Sequence, residues 1–204
     1  MSRTGGEKRR RSLVEEAIRC FGRDGYKATS LDTVAKAVGV RKQTLLYYFP
    51  TKDALLEACL TNAGATVGAA ITAALEDQDS AESKAEAVVH AVFELADEFP
   101  EFPMFVRETG RLGPDAFERF SAVLDPLRER AVVSLQAGMD EGSIRKQDPA
   151  MLLFTLYTAV IGSLTEASVL NAVVGPDKSR ASLRRREKEV ISFVRAALAP
   201  PPED

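Results

Sequence analysis

The sequence predicts an all-α fold, and three observations support that prediction. Apolar residues recur at spacings of three and four along most of the chain, which is the period of one helical face. Glycines, prolines and N-cap residues separate these segments, as they do at helix ends. The apolar–polar alternation of a half-buried strand occurs nowhere, and the chain contains no internal repeat.

Four predicted helices make up the N-terminal third of the chain. The first, over residues 7–24, carries one apolar stripe and ends at Gly25, a residue that readily adopts a positive φ. Two short helices follow, over 31–38 and 40–49; a glycine separates them, and a proline stops the second. A fourth helix, over 52–74, begins behind a threonine N-cap and then becomes rich in alanine and glycine.

Longer helices are predicted in the remainder of the chain. They cover residues 80–99, 114–141, 149–174 and 179–198. Pro114 suits a first helical turn, whereas Pro126 should kink the helix in which it lies. We expect the stretch 99–105 (FPEFPMF) to form a proline-broken aromatic loop with a short helix.

The composition excludes several classes of protein. The 204 residues are 45% hydrophobic and 28% charged, which is typical of a globular protein and too apolar for disorder. The two cysteines, Cys20 and Cys59, lie in predicted helices and fit a reducing, cytoplasmic location. The single histidine, His90, shares a helix face with acidic residues, so we expect it to be exposed and not to bind a metal.

The sequence also lacks the motifs of membrane insertion and of catalysis. No run of eighteen apolar residues predicts a membrane span, and the N-terminus does not resemble a secretory signal. No phosphate-binding loop, nucleophile elbow or metal-ligand cluster occurs. We therefore expect no cofactor, no metal, no membrane partner and no enzymatic activity.

The charges are distributed unevenly along the chain. Residues 1–52 contain twelve Lys or Arg and five Asp or Glu, a net charge of +7. The other 152 residues carry a net charge of −10. A basic N-terminal module on an acidic body suggests that the module binds a polyanion, although a basic stretch can also be only a solvated surface.

The predicted helices at 31–38 and 40–49 form a helix-turn-helix pattern, which presents its second helix to the DNA major groove. That second helix begins with Arg41 and Lys42, where side chains reach base edges, and Gln43 and Thr44 add an amide and a hydroxyl. Tyrosine and lysine side chains that suit phosphate contacts follow. Leu45 and Phe49, four residues apart, should face the helices behind.

Residues 24–60 (DGYKATSLDTVAKAVGVRKQTLLYYFPTKDALLEACL) resemble the DNA-binding domain of the TetR family of bacterial transcriptional regulators. The likeness extends over roughly residues 10–60, less than a third of the chain. The family pattern has a glycine after helix one, a hydroxyl residue opening helix two, an aliphatic-Ala-x-x-x-Gly-Val run, Thr-Leu before an aromatic pair, and a Lys-acidic-x-Leu ending. Its positions here are Gly25, Ser30, Val34, Ala35, Gly39, Val40, Thr44, Leu45, Tyr47, Tyr48, Phe49, Pro50, Thr51, Lys52, Asp53 and Leu55.

Three positions depart from that pattern. Leu46 stands where a phosphate-contacting tyrosine is usual, Gln43 replaces a frequent glycine, and Tyr48 replaces a frequent histidine. Glutamine can read adenine, so the operator should be unlike the better-known ones. The resemblance implies that two sets of residues contact double-stranded DNA: bases by Arg41, Lys42, Gln43 and Thr44, and phosphates by Ser30, Thr33, Tyr47, Tyr48 and Lys52.

The resemblance further implies a helix-turn-helix DNA-binding domain over 1–51 and a helical effector-binding and dimerisation domain over 52–204. In the family, the second domain binds a small hydrophobic effector and forms the homodimer. We expect the last two long helices to make the dimer interface, because 152–174 is apolar on more than one face. The partner stripe would consist of Val190, Ile191, Val194 and Leu198. The predicted effector contacts are Phe93, Phe102, Met104, Phe105, Phe117, Phe120, Phe154 and Tyr157, although each could be an ordinary core residue.

These features predict a ligand-responsive repressor that binds a near-palindromic operator as a dimer. A small all-α enzyme and a helical scaffold are the alternatives; the first lacks a catalytic motif, and the second would not need a basic recognition helix. Two smaller assignments stay open. The run 8–11 (KRRR) is either a phosphate-attracting arm or a solvated helix start. Arg107, Glu108 and Arg111 are either polar anchors of an effector pocket or partners in surface salt bridges.

Overall fold

The computed structural model describes residues 3–177 and 179–200, and every regular element within them is helical, which confirms the all-α prediction. A short 3-10 turn, Ala122–Leu124, separates the seventh and eighth helices. The α-helices are α1 (Arg3–Asp24), α2 (Leu31–Val38), α3 (Lys42–Tyr48), α4 (Lys52–Ala74), α5 (Ala81–Glu98), α6 (Phe102–Arg111), α7 (Pro114–Ser121), α8 (Asp125–Asp140), α9 (Pro149–Thr165), α10 (Ala167–Val173) and α11 (Arg180–Leu198).

Helix ends follow the local signals in the sequence. Gly25 has a φ of 82° directly after α1, a conformation that residues with a Cβ rarely adopt. Side-chain oxygens of Ser80, Asp148 and Ser179 accept hydrogen bonds from amides in the first turns of α5, α9 and α11. The predicted starts of these three helices are therefore correct to within about two residues, the usual uncertainty of a helix end.

Prolines begin helices in this structure. Pro103 and Pro126 occupy the first turns of α6 and α8, where a missing N–H leaves no hydrogen bond unmade. The prediction of one kinked helix over 114–141 was wrong, because the chain leaves α7 through a 3-10 turn and starts a new helix beside Pro126. The stretch 99–105 is likewise mainly helical, since α6 begins at Phe102.

The predicted helix over 149–174 is also two helices. Glu166 (φ −89°, ψ 55°) separates α9 from α10, and the two axes differ by 78°. Ser163 and Thr165 bond back to backbone carbonyls three and four residues earlier, which bends helices. In addition, the Arg186 guanidinium donates to the Ser163 carbonyl oxygen at 2.6 Å. That contact comes from α11, so the local sequence alone could not reveal it.

The helices form two compact units. The first contains the residues up to Thr66 together with Pro100–Val123, and therefore joins α1–α3 and most of α4 to α6 and α7. The rings of Phe21 and Phe105 stack in this unit with centroids 6.4 Å apart. Its buried core is Leu13, Val14, Ala17, Ile18, Phe21, Val34, Leu45, Phe49, Leu55, Leu60, Phe102, Phe105 and Phe120. The domain division after residue 51 remains a prediction about function.

The second unit contains Val67–Phe99 and the residues from Leu124 onwards. Here α11 packs mainly on α5. Its core includes Val89, Phe93, Leu135, Met139, Leu152, Val160, Val190, Val194 and Leu198. The assignment of Val190, Val194 and Leu198 to a partner subunit was therefore wrong, because α11 uses that stripe to close the unit's own core. Phe193, on another face of α11, is exposed.

Two apolar helical segments pass a test of length and hydropathy for crossing a membrane. Helix α4 has a mean hydropathy of 1.3, and α9 with α10 passes only as a bent pair. A core helix passes the same test, and α4 buries Leu55, Cys59 and Leu60 within the first unit. The apolar character of α4 is therefore accounted for, at its N-terminal end, by packing.

Candidate DNA-binding surface

The turn between α2 and α3 is set by residues within it. Ser30 caps α2, because its Oγ accepts a hydrogen bond of 3.0 Å from the Thr33 amide. Gly39 ends α2 in the left-handed region, and the Val40 amide donates to the Ala35 carbonyl oxygen at 2.9 Å. These two local motifs bring α3 across α2 and give the predicted helix-turn-helix.

Helix α3 has one buried side and one exposed side. Leu45 and Phe49 are buried, as predicted from their spacing of four. The predicted base-contacting residues Arg41, Lys42 and Gln43 are exposed, and Thr44 is half-buried. A seven-residue helix anchored along one side leaves its opposite side free to enter a major groove.

The predicted phosphate-contacting residues surround this exposed side. Ser30 and Thr33 are exposed at the start of α2, and their hydroxyl oxygens lie 2.8 Å apart. Tyr47 is 82% exposed, and its ring meets the half-buried Tyr48 ring edge-on at a centroid distance of 5.2 Å. An aromatic side chain so exposed gains little from packing, and its hydroxyl is available to an external acceptor.

Lys52 is held in place at the start of α4. Its ammonium lies 4.1 Å from the centroid of the Tyr26 ring and 3.5 Å from the Lys27 carbonyl oxygen. Burial lowers the pKa of Lys52, while the neighbouring Asp53 carboxylate acts in the opposite direction. Burial and a hydrogen bond to Asp53 raise the pKa of Tyr26 to about 12, so this phenol stays protonated. The cation is therefore oriented before any ligand arrives.

One acidic residue interrupts the basic surface. Asp32 lies in the first turn of α2, and its Oδ2 is 2.6 Å from the Lys42 ammonium. The sequence does not reveal this pair, because residues ten positions apart meet only through the angle between α2 and α3. Asp32 neutralises part of the charge of Lys42 and fixes the direction of its side chain.

The predicted effector contacts are divided between the two units. In the first unit Phe102, Phe105 and Phe120 are buried, Phe117 is half-buried, and Met104 is 37% exposed. In the second unit Phe93 is in the core, whereas Phe154 and Tyr157 are 59% and 39% exposed. Neither unit by itself gathers this set around one cavity.

The first unit contains a polar cleft of about 190 Å³. It lies between Gly22–Gly25 and the face of α6 that carries Met104, Arg107, Glu108 and Arg111. Glu108 accepts a hydrogen bond of 3.0 Å from the Tyr26 amide through Oε1. This backbone contact orients the Glu108 carboxylate within the cleft, and the two interpretations of Arg107, Glu108 and Arg111 stay predictions.

The second unit contains a wider groove of about 440 Å³ beside α5 and the C-terminal turns of α4. Its apolar walls come from five alanines and Leu95, and its rim carries Gln78, His90, Glu94 and Glu98. His90 is exposed, as predicted, and its two ring nitrogens lie 2.6 Å from Glu187 and 3.2 Å from Glu94. Among the described residues, no group of three or more His, Cys, Asp or Glu side chains is placed to hold a metal.

Residues 13–59 match the family model described as "Bacterial regulatory proteins, tetR family". The HTH-type transcriptional regulator RutR of Escherichia coli K12 is 24% identical over 168 residues, which cover 82% of this chain and 79% of RutR. The negative transcriptional regulator IcaR of the Staphylococcus aureus biofilm operon is 38% identical over 45 residues, 22% of this chain and 24% of IcaR.

Two solved structures share the fold. AibR, crystallised with isovaleryl coenzyme A and operator DNA, superposes with a TM-score of 0.74 at 18% identity, covering 94% of this chain and 99% of AibR. A regulator from Saccharomonospora viridis in complex with choline gives 0.73 at 19% identity, with coverages of 94% and 98%. The chain is therefore similar to the tetR family of bacterial regulatory proteins over its helix-turn-helix, residues 13–59, and it shares its all-helical fold with these two regulators.

Proposed function

We propose that this chain is a transcriptional repressor that binds a near-palindromic operator as a homodimer and is released by a small effector that carries apolar groups. The observation that carries the proposal is the two-sided helix α3. Leu45 and Phe49 are buried on one side, Gln43 and Tyr47 are exposed on the other, and Arg41 and Lys42 are exposed at the N-terminal end. The names of relatives such as IcaR support the repressor role.

The DNA-binding proposal is tested with three variants and two duplexes. One duplex is selected in vitro from a random pool, and the other has a mixed sequence. Lys42→Ala with Thr44→Ala should cost about 1–3 kcal/mol per lost base contact on the selected duplex and spare the mixed one. Lys52→Ala should weaken both duplexes similarly, because it meets phosphates. Lys188→Ala, which removes an exposed cation from α11, is the control. Equal affinity of the double variant and wild type for the selected duplex refutes the assignment of α3.

The homodimer is supported by large apolar side chains that this chain leaves exposed on its last helices. They are Met151, Phe154, Val169, Val173, Val174 and Phe193. Val173 is 79% exposed and Phe193 is 49% exposed, on α10 and α11. Clusters of exposed apolar residues mark interaction surfaces, and a second copy of the chain presents the same cluster in a two-fold arrangement.

Phe154→Glu with Phe193→Glu should therefore yield a monomer, because both charges would lie in the interface. Val133→Glu is the matched control, since Val133 is 69% exposed and lies on α8, whereas the proposed interface uses α9, α10 and α11. Light scattering at micromolar concentration measures the mass. A wild-type monomer, or a dimer in the double variant, contradicts this part of the proposal.

The effector is proposed to be neutral or cationic. The groove beside α5 combines alanine walls with Glu94 and Glu98 at its rim, and no described cation pairs with Glu98. An apolar cleft with a negative rim favours a compact organic cation. The choline bound to the Saccharomonospora viridis regulator is such a cation.

Calorimetry with choline and with 3,3-dimethyl-1-butanol, its neutral isostere, tests this expectation. Choline should bind more tightly, and Glu98→Gln should reduce the difference between the two compounds. A regulating ligand must also bind the DNA-free protein more tightly, by a coupling of about 1–3 kcal/mol. Equal affinity with and without the selected duplex would show binding without regulation.

A further inference from the structure

The N-terminal turns of α1 lie outside the part of the chain that matches the family. The match begins at residue 13, whereas α1 begins at Arg3. The extension carries four consecutive cations, Lys8, Arg9, Arg10 and Arg11, and all four are exposed.

The extension lies beside the end of the recognition helix. The Arg10 guanidinium is 5.0 Å from the centroid of the Phe49 ring, and Phe49 directly follows α3. One turn earlier α1 approaches Tyr48, since a Cβ on Gly6 would lie 3.8 Å from the Tyr48 hydroxyl. Phe49 is buried in the unit's core, so Arg10 rests on a rigid ring. These contacts place residues 6–11 next to the predicted DNA surface.

The other three cations of this run have no carboxylate partner in the part of the chain that the structure describes. Among the described residues, no carboxylate forms a salt bridge with Lys8, Arg9 or Arg11, whereas Lys42 is paired with Asp32. Consecutive helical residues differ by 100° in direction, so Lys8, Arg9 and Arg11 cover the side of α1 opposite Arg10. A duplex that approaches this free side of α1 therefore meets unpaired cations.

We propose that residues 8–11 form a second DNA contact, which binds backbone phosphates of the duplex whose major groove receives α3. The inference rests on the proposed function. Arg10 acts as a positioning residue through Phe49, and Lys8, Arg9 and Arg11 supply the charge. Phosphate contacts carry no sequence information, so this surface adds affinity and leaves the choice of operator to α3.

The test compares two triple variants of the full chain. Lys8→Ala/Arg9→Ala/Arg11→Ala removes the proposed contact. Arg184→Ala/Arg185→Ala/Lys188→Ala removes the same three charges from exposed positions on α11. Fluorescence anisotropy gives the affinity for the mixed-sequence duplex and for the selected duplex at several salt concentrations.

The slope of log K against log[salt] should fall by about 0.9 for each lost phosphate contact, hence by about 2–3 per subunit and about 5 for the dimer of the first variant. Both duplexes should lose affinity by the same factor, and the α11 control should keep the wild-type slope. A wild-type slope in the first variant, or a loss confined to the selected duplex, overturns the inference while the proposed function stands. If wild type binds neither duplex, the proposed function itself fails.

Discussion

Gly22 allows a close approach of α1 to the start of α6 in the first unit. A Cβ at this position would overlap the Glu101 carbonyl oxygen and lie 3.2 Å from the Phe105 amide nitrogen. Both are backbone atoms near the start of α6, so neither can move without displacing that helix. Gly22 lies in the third-last position of α1 and is buried.

We expect Gly22→Ala to destabilise the protein by about 2 kcal/mol. Alanine by itself would stabilise a helix interior by about 1 kcal/mol relative to glycine. Overpacking costs about 1–3 kcal/mol, and a clash with backbone belongs at the upper end of that range. The packing cost therefore exceeds the gain in helix propensity.

Gly110→Ala in α6 is the matched control. No atom lies within 4 Å of the added Cβ, so only helix propensity changes and the variant should be as stable as wild type or more so. Urea unfolding followed by circular dichroism measures both variants, and 2 kcal/mol corresponds to a midpoint lower by about 1 M. If Gly22→Ala unfolds at the same urea concentration as Gly110→Ala, the close approach of α1 and α6 does not limit this position.

Three further outcomes are expected. Ser30→Ala should lower the free energy of unfolding by about 1 kcal/mol in urea, and Ser30→Thr should retain most of it, because the lost interaction is the N-cap hydrogen bond of α2. The hydrogen bond to Glu187 raises the pKa of His90. The stability that protonated His90 contributes is therefore present below pH 6.5 and is lost as the pH rises through the raised pKa. The urea midpoint of His90→Gln should not show this decline with pH. Burial raises the pKa of Cys59, and Cys20 is also fully buried. A thiol reagent at pH 8 should therefore label both cysteines only after the protein unfolds. Rapid labelling of the native protein contradicts this expectation.

Much of the candidate DNA-binding surface could be predicted from the sequence. Helix-turn-helix geometry depends on a cap at Ser30, a left-handed glycine at position 39 and an apolar pair four residues apart, all readable within short windows. The exposed side of α3 follows directly from the buried one. The sequence did not predict the Asp32–Lys42 ion pair or the contact of the Lys52 ammonium with the Tyr26 ring, because each joins residues at least ten positions apart.

The sequence by itself determined the all-α class, most helix boundaries and the two-sided recognition helix, because helix periods and caps involve residues no more than four positions apart. Tertiary structure determined the break at Glu166, where Arg186 of α11 donates a hydrogen bond to the Ser163 carbonyl oxygen of α9. Tertiary structure also determines that Val190 and Val194 of α11 are buried in the core of their own unit and that Phe193 is exposed. An amphipathic pattern shows that a helix face is buried, but the partner that buries it depends on contacts far apart in the chain, which only the folded structure supplies.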